Sequence, residues 1–365
     1  MIHQLVPGLS AGDAIGNHAV ALRGIFRGWG MTGSQIYAAA RDARLADPGR
    51  PVSDLRMKAG DWLIYHYGNA SPLSDLALAH RSQLILCYHN ITPGHFFAPY
   101  SAPAAARLDL GRRELARFAG VRAIADSAYN QAELLELGYV NPRVAPLWVD
   151  ADGLRRSAAS PAGQAVQARY PRDVAGTRWV NWLFVGRVAP NKRHESLIRA
   201  FGNYQRRVQP CSRLLLVGAW QAYPGYKSEL GFLIWRLGVN NVFFAGQHFN
   251  EHGLGGHYAA ADLYISASEH EGFGVPLVEA MAFGLPVVAR NCAGVSSAVG
   301  DGGLLIDHSD PDALAEAAQI MLGDAAIRAH YAASQPARVA AHNLQSVSAA
   351  WHDAIADFER SQQAA

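Results

Sequence analysis

The sequence predicts an α/β protein built from two doubly wound, Rossmann-like domains, and three observations carry that prediction. Short apolar runs alternate with helical patterns along most of the chain, the order that parallel sheets covered by helices produce. The chain has 365 residues, 50% of them hydrophobic, enough for about two domains at ~150 residues each, with a large buried core. The rhythm breaks once, in ADGLRRSAASPAGQAVQARYPRDVAGTR from residue 151, which is rich in Ala, Gly, Ser and Pro. That stretch reads as the linker between two similar halves. Domains are therefore expected at 1–165 and 166–345, with the helical pattern of about 346–365 packing back on the first.

The candidate strands of the first half are MIHQLV, DWLIYHYG, LILCYHN, RAIADS and RVAPLWV. Those of the second are WLFVG, LLLVG, VFFAG, LYISAS and PVVAR. Helical patterns lie between most of them, among them GNHAVALRGIFRGW, NQAELLELG and RHESLIRAFGNY, and HNLQSVSAAWHDAIADFERS follows the last strand. In open α/β sheets ligands bind outside the carboxyl ends of the strands. Two such halves are expected to face one another across a central cleft.

Composition removes several classes of function. A formal charge of +2 is too mild to indicate a nucleic-acid partner. Cys87, Cys211 and Cys292 are widely separated and make neither a metal cluster nor an even disulfide framework, so a reducing compartment fits best. The opening MIHQLVPGLSAGD is a short apolar run ended by turn residues and not a secretory signal. No uncharged apolar stretch is long enough to cross a bilayer. A cytoplasmic protein is expected, at most peripheral on the inner face of the membrane.

The chemistry concentrates in two loops of the second half. In EHEGFGVPLVEAMAFGLPVV, Glu271 precedes Gly272, Phe273 and Gly274, a turn too permissive to be helical and suited to close backbone approach. Pro276 fits the start of a helix that Gly284 and Pro286 end. A helix N-terminus after a glycine turn favours an anion, yet Glu271 and Glu279 would repel one. After WLFVG comes RVAPNKRHESL, where Asn191 reads as a helix N-cap followed by Lys192 and Arg193, with Arg187 in the same loop. Taken alone, Lys192 and Arg193 read equally well as solvated surface residues. Taken together, the two loops suit a diphosphate held between two helix N-termini, with Arg187 and Lys192 offsetting its charge. The carboxylates then accept hydrogen bonds from hydroxyls, Glu279 from a ribose and Glu271 from a sugar ring.

At this point a resemblance is plain. EGFGVPLVEAMAFGLPVVA resembles the paired-glutamate signature of glycosyltransferase family 4, a retaining family with the GT-B fold. VGRVAPNKRHESLIRAF resembles that family's basic phosphate motif, with LLLVG and VFFAG in the expected order between them. The resemblance implies that Arg187 and Lys192 contact the donor diphosphate. It implies that Glu271 and the amides of Gly272, Phe273 and Gly274 contact the sugar, that Val275 belongs to the donor site, and that Glu279 binds ribose. Arg193 departs from the pattern, which commonly has glycine after the lysine. The first half matches less closely. GLSAGDAIGNHAVAL takes the place of the family's glycine-rich first loop, with Gly12 and Asp13 as donor-side residues, although an ordinary turn with an Asp cap reads as well from the residues alone. LILCYHN places His89 at a strand's carboxyl end, like the family's histidine near the reacting sugar, and His66 in WLIYHYG has the same setting. Ser127 in ADSAYNQAELLELG resembles the family's strand, serine, helix element.

The resemblance thus implies a retaining hexosyltransferase, with catalytic roles for His89, Glu271, Arg187 and Lys192, and the donor's own phosphate oxygen as base. No cofactor and no metal are expected, because fixed cations take the metal's place. Asp150-Ala151-Asp152 has the D-x-D form of metal-dependent glycosyltransferases but falls at the domain junction and reads as linker. No G-x-G-x-x-G follows a strand, which leaves a nicotinamide dehydrogenase little support. GDP-mannose is the expected donor, with UDP-linked glucose, galactose or N-acetylglucosamine as alternatives. A nucleotide-sugar epimerase or hydrolase, and a silent donor-sensing scaffold, are the competing functions. A saccharide acceptor linked to a polyprenyl diphosphate, as in bacterial polysaccharide assembly, fits the family. Arg107, Arg112, Arg113, Arg117 and Arg122, around Leu108, Leu115 and Phe118 and near Phe96, Phe97 and Tyr100, form a candidate membrane-docking segment. The competing reading is a surface helix whose Leu and Phe face the core.

Overall fold

The computed structural model describes residues 1–10, 12–247 and 253–363. The chain divides into two compact units: residues 1–98, 103–148 and 341–365, and residues 99–102 and 149–340. The first holds a seven-stranded sheet of β1 (Ile2–Leu9), β2 (Ile36–Arg41), β3 (Arg50–Pro51), β4 (Trp62–Tyr67), β5 (Leu84–Tyr88), β6 (Arg122–Ala125) and β7 (Arg143–Val144). All pairs are parallel, in the order β3-β2-β1-β4-β5-β6-β7. Helices α1 (Ala14–Gly28), α2 (Leu73–Ala79), α3 (Ala102–Glu114) and α4 (Ala128–Glu136) connect them.

The second unit begins with α5 (Ala151–Ala159), α6 (Pro161–Arg169) and a small antiparallel pair, β8 (Asp173–Val174) and β9 (Thr177–Arg178). Its six-stranded sheet comprises β10 (Val180–Val185), β11 (Ser212–Val217), β12 (Val242–Gly246), β13 (Leu263–Ser266), β14 (Val287–Arg290) and β15 (Leu304–Ile306). They are parallel, in the order β12-β11-β10-β13-β14-β15. The helices are α7 (His194–Arg207), α8 (Pro224–Leu237), α9 (Leu254–Ala260), α10 (Val275–Ala282), α11 (Val295–Val299), α12 (Pro311–Gly323) and α13 (Ala325–Ala340). The last helix, α14 (Leu344–Gln363), belongs to the first unit. Numbered within each sheet, the first runs 3-2-1-4-5-6-7 and the second 3-2-1-4-5-6, the doubly wound order in which connections diverge from the first strand.

The strands read as unbroken apolar runs because both faces of each sheet are covered. In the first unit Leu63, Tyr65, Leu86 and Tyr88 pack against Leu115, Phe118 and Leu134 on one face. On the other, Ile2, Ile64, Ile85 and Ile124 meet Leu22 and Phe26 of α1 and Val347, Trp351 and Ile355 of α14. In the second unit Trp182, Phe184, Leu214, Leu216 and Ile265 pack against Phe201, Leu230 and Leu314.

Residues 149–165, assigned from the sequence to the first half, group instead with the second unit, and no linker occupies the Ala- and Gly-rich stretch. Its helices are closely packed: a Cβ on Gly163 of α6 would lie 2.1 Å from the Ser157 carbonyl of α5, and glycines of α9 approach both helices. A Cβ on Gly255 of α9 would lie 2.0 Å from the Leu154 carbonyl of α5, and one on Gly256 would lie 2.4 Å from the Gly163 carbonyl of α6. The C-terminal helix groups with the first unit, and the Trp29 indole donates to Ser348 Oγ at 3.1 Å. RVAPLWV contributes only two strand residues, and β2, β3 and β15 were not legible as strands. No helix among the described residues is long and apolar enough to cross a membrane.

Candidate active site

In the second unit the loops after β10 and β13, neighbours at the point where the sheet order reverses, carry the basic and acidic motifs. Past the end of β10 the backbone stays paired, with Gly186 N donating to Val217 O at 2.8 Å and Val188 N to Ala219 O at 2.9 Å. The approach is tight: a Cβ on Gly218 would sit 1.9 Å from the Gly186 carbonyl. Arg187 leaves this pairing exposed and makes no hydrogen bond or ion pair among the described residues. The chain then turns through a 3-10 segment, Pro190–Lys192, and reaches α7.

Asn191 is not the N-cap of α7, which starts at His194 with Arg193 as its capping position. Its side chain crosses to the other loop, Nδ2 donating to His270 O at 3.0 Å, while Glu269 N donates to Asn191 O at 2.9 Å. These two bonds tie the basic loop to the acidic one. Lys192 Nζ consequently forms an ion pair with Glu271, whose other oxygen accepts from Ser268 Oγ at 2.8 Å. The pair is largely enclosed, the side chains of Lys192 and Glu271 being 17% and 14% exposed. Arg193 takes the left-handed conformation at φ 51°, ψ 48° where the family pattern has glycine. Its guanidinium turns to Glu195 at 2.9 Å and Glu269 at 3.2 Å, and so serves the loop scaffold.

The glycine turn ends at Gly274, φ 100°, which enters α10 without a side-chain cap. Val275 is the first residue of α10 and Pro276 the second, so Glu279 lies one turn further in than the first. Gly294 backs the turn: its N donates to Glu271 O at 2.9 Å, and a Cβ there would sit 2.0 Å from the Gly272 carbonyl. Phe273 is buried beneath. At the far end Gly284 N donates to Met281 O at 2.9 Å and Leu285 N to Ala280 O at 3.2 Å, a Schellman closure at Gly284, φ 66°. Glu279 accepts a hydrogen bond from the buried Tyr258 hydroxyl. Burial pushes the Glu279 carboxyl up to about 7; the Tyr258 bond opposes this, and the charge of Asp150 adds to it.

In the first unit Gly12 is left-handed at φ 71°, and Asp13 caps α1 by accepting from Gly16 N at 3.0 Å. That is the turn-and-cap reading of Asp13. His89 is 3% exposed, with Nδ1 3.2 Å from Asp126 Oδ2 and Nε2 2.9 Å from His66 Nδ1. The two candidate histidines are thus one hydrogen-bonded pair, and Asp126 and Gln4, unmarked in the sequence, complete it. Ligand atoms of His66, Cys87 and His89 lie within 4.8 Å of one another, the one such group found among the described residues. A metal there would have to displace the bond between the imidazoles.

Ser127 caps α4, accepting from Asn130 N at 3.1 Å. Asp150 caps α5, accepting from Gly153 N at 2.8 Å, and Asp152 pairs with Arg155 at 2.9 Å, so the D-x-D pair opens a helix. In the basic segment Arg112 donates to Ile91 O and pairs with Glu133, Arg117 pairs with Asp75 and Glu114, and Arg122 lies over the Trp62 ring. Leu115, Phe118 and Phe97 are buried. Of the five arginines in this segment, Arg107 and Arg113 stand exposed without an ion pair among the described residues. The surface-helix reading describes this segment.

Residues 181–337 match the family of glycosyl transferases group 1. Among curated relatives, O-antigen chain mannosyltransferase B of Escherichia coli is 31% identical over 134 residues, covering 36% of this chain and 34% of the relative. D-inositol 3-phosphate glycosyltransferase of Streptosporangium roseum is 30% identical over 257 residues, 68% of this chain and 57% of the relative. The chain therefore spans about a third to three fifths of these relatives. Among solved structures, sucrose-phosphate synthase from Thermosynechococcus elongatus superposes with a TM-score of 0.73 at 21% identity, covering 99% of this chain and 100% of that one. HepE of Anabaena, in complex with UDP and glucose, gives 0.67 at 20% identity, covering 97% and 99%. The fold is GT-B, and within it residues 181–337 are similar to the glycosyl transferases of group 1.

Proposed function

We propose that this protein transfers a hexose from a nucleotide sugar to a saccharide acceptor, with retention of configuration. The observation that carries the reading is the enclosed Lys192–Glu271 pair beside the exposed, unpaired Arg187 and the uncapped entry of α10. Both cations lie within one loop, as a diphosphate needs. In the free protein Glu271 keeps Lys192 neutralised. When a donor arrives, Lys192 turns to the diphosphate and Glu271 to the sugar hydroxyls, and each exchanges one charged partner for another. Glu279 accepts from ribose, and the amides of Gly272, Phe273, Gly274 and Val275 face the sugar. Charge developing on the leaving diphosphate is met by Arg187 and Lys192, a preorganised electrostatic contribution. The donor phosphate oxygen takes the acceptor proton, and His89 and Gly12 are assigned to the reaction by the family resemblance alone. Neither cofactor nor metal is required.

Mannose from GDP-mannose is the first donor to test, supported by the name of the Escherichia coli relative. UDP-hexoses come next, supported by the UDP and glucose in HepE. A polyprenyl-diphosphate-linked saccharide is the proposed acceptor, met at the cytoplasmic face of the membrane. The test is a thermal-shift panel of nucleotide sugars followed by turnover with and without saccharide acceptors. Product that keeps the donor's anomeric configuration supports the reading. Sugar released or epimerised at the same rate without acceptor would replace it with a hydrolase or epimerase, and absence of any nucleotide-sugar binding would leave only a scaffold.

A further inference from the structure

Across the first sheet, β1, β4, β5 and β6 are consecutive neighbours, and the strands or their ends contribute Gln4, His66, Cys87, His89 and Asp126 to one polar chain. The chain is buried on the face that packs against α1 and α14, where the surrounding strand residues are Ile2, Ile64 and Ile85. With His66 neutral, as its burial favours, the hydrogen bonds of the chain have one self-consistent direction. Gln4 Nε2 lies 2.9 Å from the Ala19 carbonyl, which can only accept, so the orientation of the amide is fixed. Gln4 Oε1 then accepts, and His66 Nε2, 2.8 Å away, must carry a proton. A neutral His66 has one proton only, so its Nδ1 accepts from His89 Nε2.

The other side of His89 is fixed from the opposite end. Asn90 Nδ2 donates to Glu133 Oε2 at 3.0 Å and to Asn130 Oδ1 at 2.7 Å, which turns Asn130 Nδ2 toward Asp126 Oδ1. Asp126 Oδ2 faces His89 Nδ1. Imidazole is a stronger base than a carboxylate by roughly 2.5 pKa units, so the shared proton rests on nitrogen. Both nitrogens of His89 are then protonated.

We propose that Gln4 and His66 are positioning residues that hold His89 as an imidazolium, so that it serves the transfer as a fixed cation and never as a proton acceptor. The charge sits on His89 and not on His66 because of what surrounds each ring. His89 faces the Asp126 carboxylate and the Cys87 sulfur at 3.5 Å, whereas His66 faces a neutral amide and, from α1, His18 at 6.2 Å between ring centroids. His18 also stands 6.0 Å from the His89 ring, itself accepting from Trp148 N at 3.4 Å. Burial drives His66 and His18 well below the usual imidazole range. It acts the same way on His89, but the Cys87 sulfur and the Asp126 carboxylate outweigh it and raise that ring to about 10.

The role in transfer rests on the reading above, in which the donor phosphate oxygen is the base; the protonation state does not, and the two are separable by experiment. Long-range proton–nitrogen NMR of histidine-labelled protein at about pH 8 should find both ring nitrogens of His89 protonated. In His66→Phe, which removes the acceptor, His89 should lose its proton at lower pH than in wild type. His66→Asn, which returns an oxygen near the position of Nδ1, should restore it. Turnover should follow, falling about tenfold per pH unit above the His89 transition in the Phe variant while wild type stays level. Nucleotide affinity should be equal in all three. A neutral His89 in wild type, or the same transition in His66→Phe, overturns the proposal, and an imidazolium whose loss leaves turnover level removes its part in the reaction. Wild type that binds no nucleotide sugar would sink the transferase reading while the NMR result stands.

Discussion

Replacing Lys192 with alanine should cost both stability and nucleotide affinity, whereas replacing Arg187 should cost affinity alone. The difference comes from what each cation does in the unliganded protein. Lys192 neutralises Glu271, and the two side chains are 17% and 14% exposed. Breaking a fully buried pair costs ~3–5 kcal/mol and an exposed one ~0–1 kcal/mol. This pair lies between, and Ser268 still donates to Glu271, so a loss of about 1–2 kcal/mol is expected. For a unit of this size that lowers the unfolding temperature by roughly 2–8 °C. Arg187 has no partner among the described residues, so Arg187→Ala should leave the transition in place. On the binding side a charge-assisted contact is worth ~1.5–3 kcal/mol, about 10- to 150-fold in dissociation constant. Lys192 must give up Glu271 to make that contact and should fall near the lower end, with Arg187 at or above it. Scanning fluorimetry without ligand and calorimetric titration with UDP and GDP measure the two effects separately. Adding Glu271→Gln to Lys192→Ala should return most of the lost stability and none of the affinity. Lys192→Ala melting like wild type, or Arg187→Ala melting lower and binding nucleotide unchanged, would refute these two roles.

Glu279 gives opposite pH trends for stability and binding. Its folded pKa is raised to about 7, so the folded protein binds more protons than the unfolded chain between the ordinary carboxylate range and 7, and that contribution to stability declines as pH rises through this window. Nucleotide affinity should increase over the same window as the carboxylate becomes free to accept from ribose, and Tyr258→Phe, which removes the donor opposing the shift, should move the increase upward in pH; affinity level from pH 5 to 8 would refute the ribose role. Arg193→Gly relieves about 1–2 kcal/mol of left-handed strain while losing ion pairs worth ~0–1 kcal/mol each, so it should melt at or above wild type with unchanged nucleotide affinity, and a tenfold loss of affinity would return Arg193 to the phosphate site. Activity should survive EDTA; loss restored by manganese would revive the metal reading. Binding to anionic vesicles, if measured, should fall in Arg107→Gln/Arg113→Gln, the residues left unpaired on α3, while Arg112→Gln and Arg117→Gln should lower thermal stability instead; equal vesicle binding by wild type and the first variant would remove this face as a docking surface.

The second unit was legible because its chemistry is local in sequence. The residues of each loop are consecutive, so glycine, proline and charge close together in sequence state the turn and the helix start and bring the charged residues to one place. What the residues alone did not disclose was the cross-link. Asn191 has the composition of a cap and the position of a cap, but its side chain is needed 79 residues away, at the His270 carbonyl. With Asn191 so employed, α7 begins only at His194, and Arg193 takes the left-handed turn between them. The Ala- and Gly-rich stretch misled for a related reason. Composition that reads as flexible in isolation is also what allows helices to approach until a methyl group no longer fits, and only the partner helix distinguishes the two cases.

The first unit shows where such reading runs out. Gln4, His66, Cys87, His89 and Asp126 come from four strands or their ends, scattered through largely apolar runs, and no motif joins them. A lone buried histidine in a strand has many possible partners, so the sequence could set His66 and His89 side by side as alternatives but could not join them. The topology does so. Because β4 and β5 pair in register, His66 lies opposite Cys87, and a histidine two residues beyond Cys87 can reach back to the same ring. Burying five polar groups here is tolerable only because each proton has an acceptor, since a single reversed amide would strand a donor or acceptor at ~1–3 kcal/mol. The fold therefore specifies a protonation state as well as a position. That constraint follows from hydrogen-bond direction and holds whatever the second unit binds.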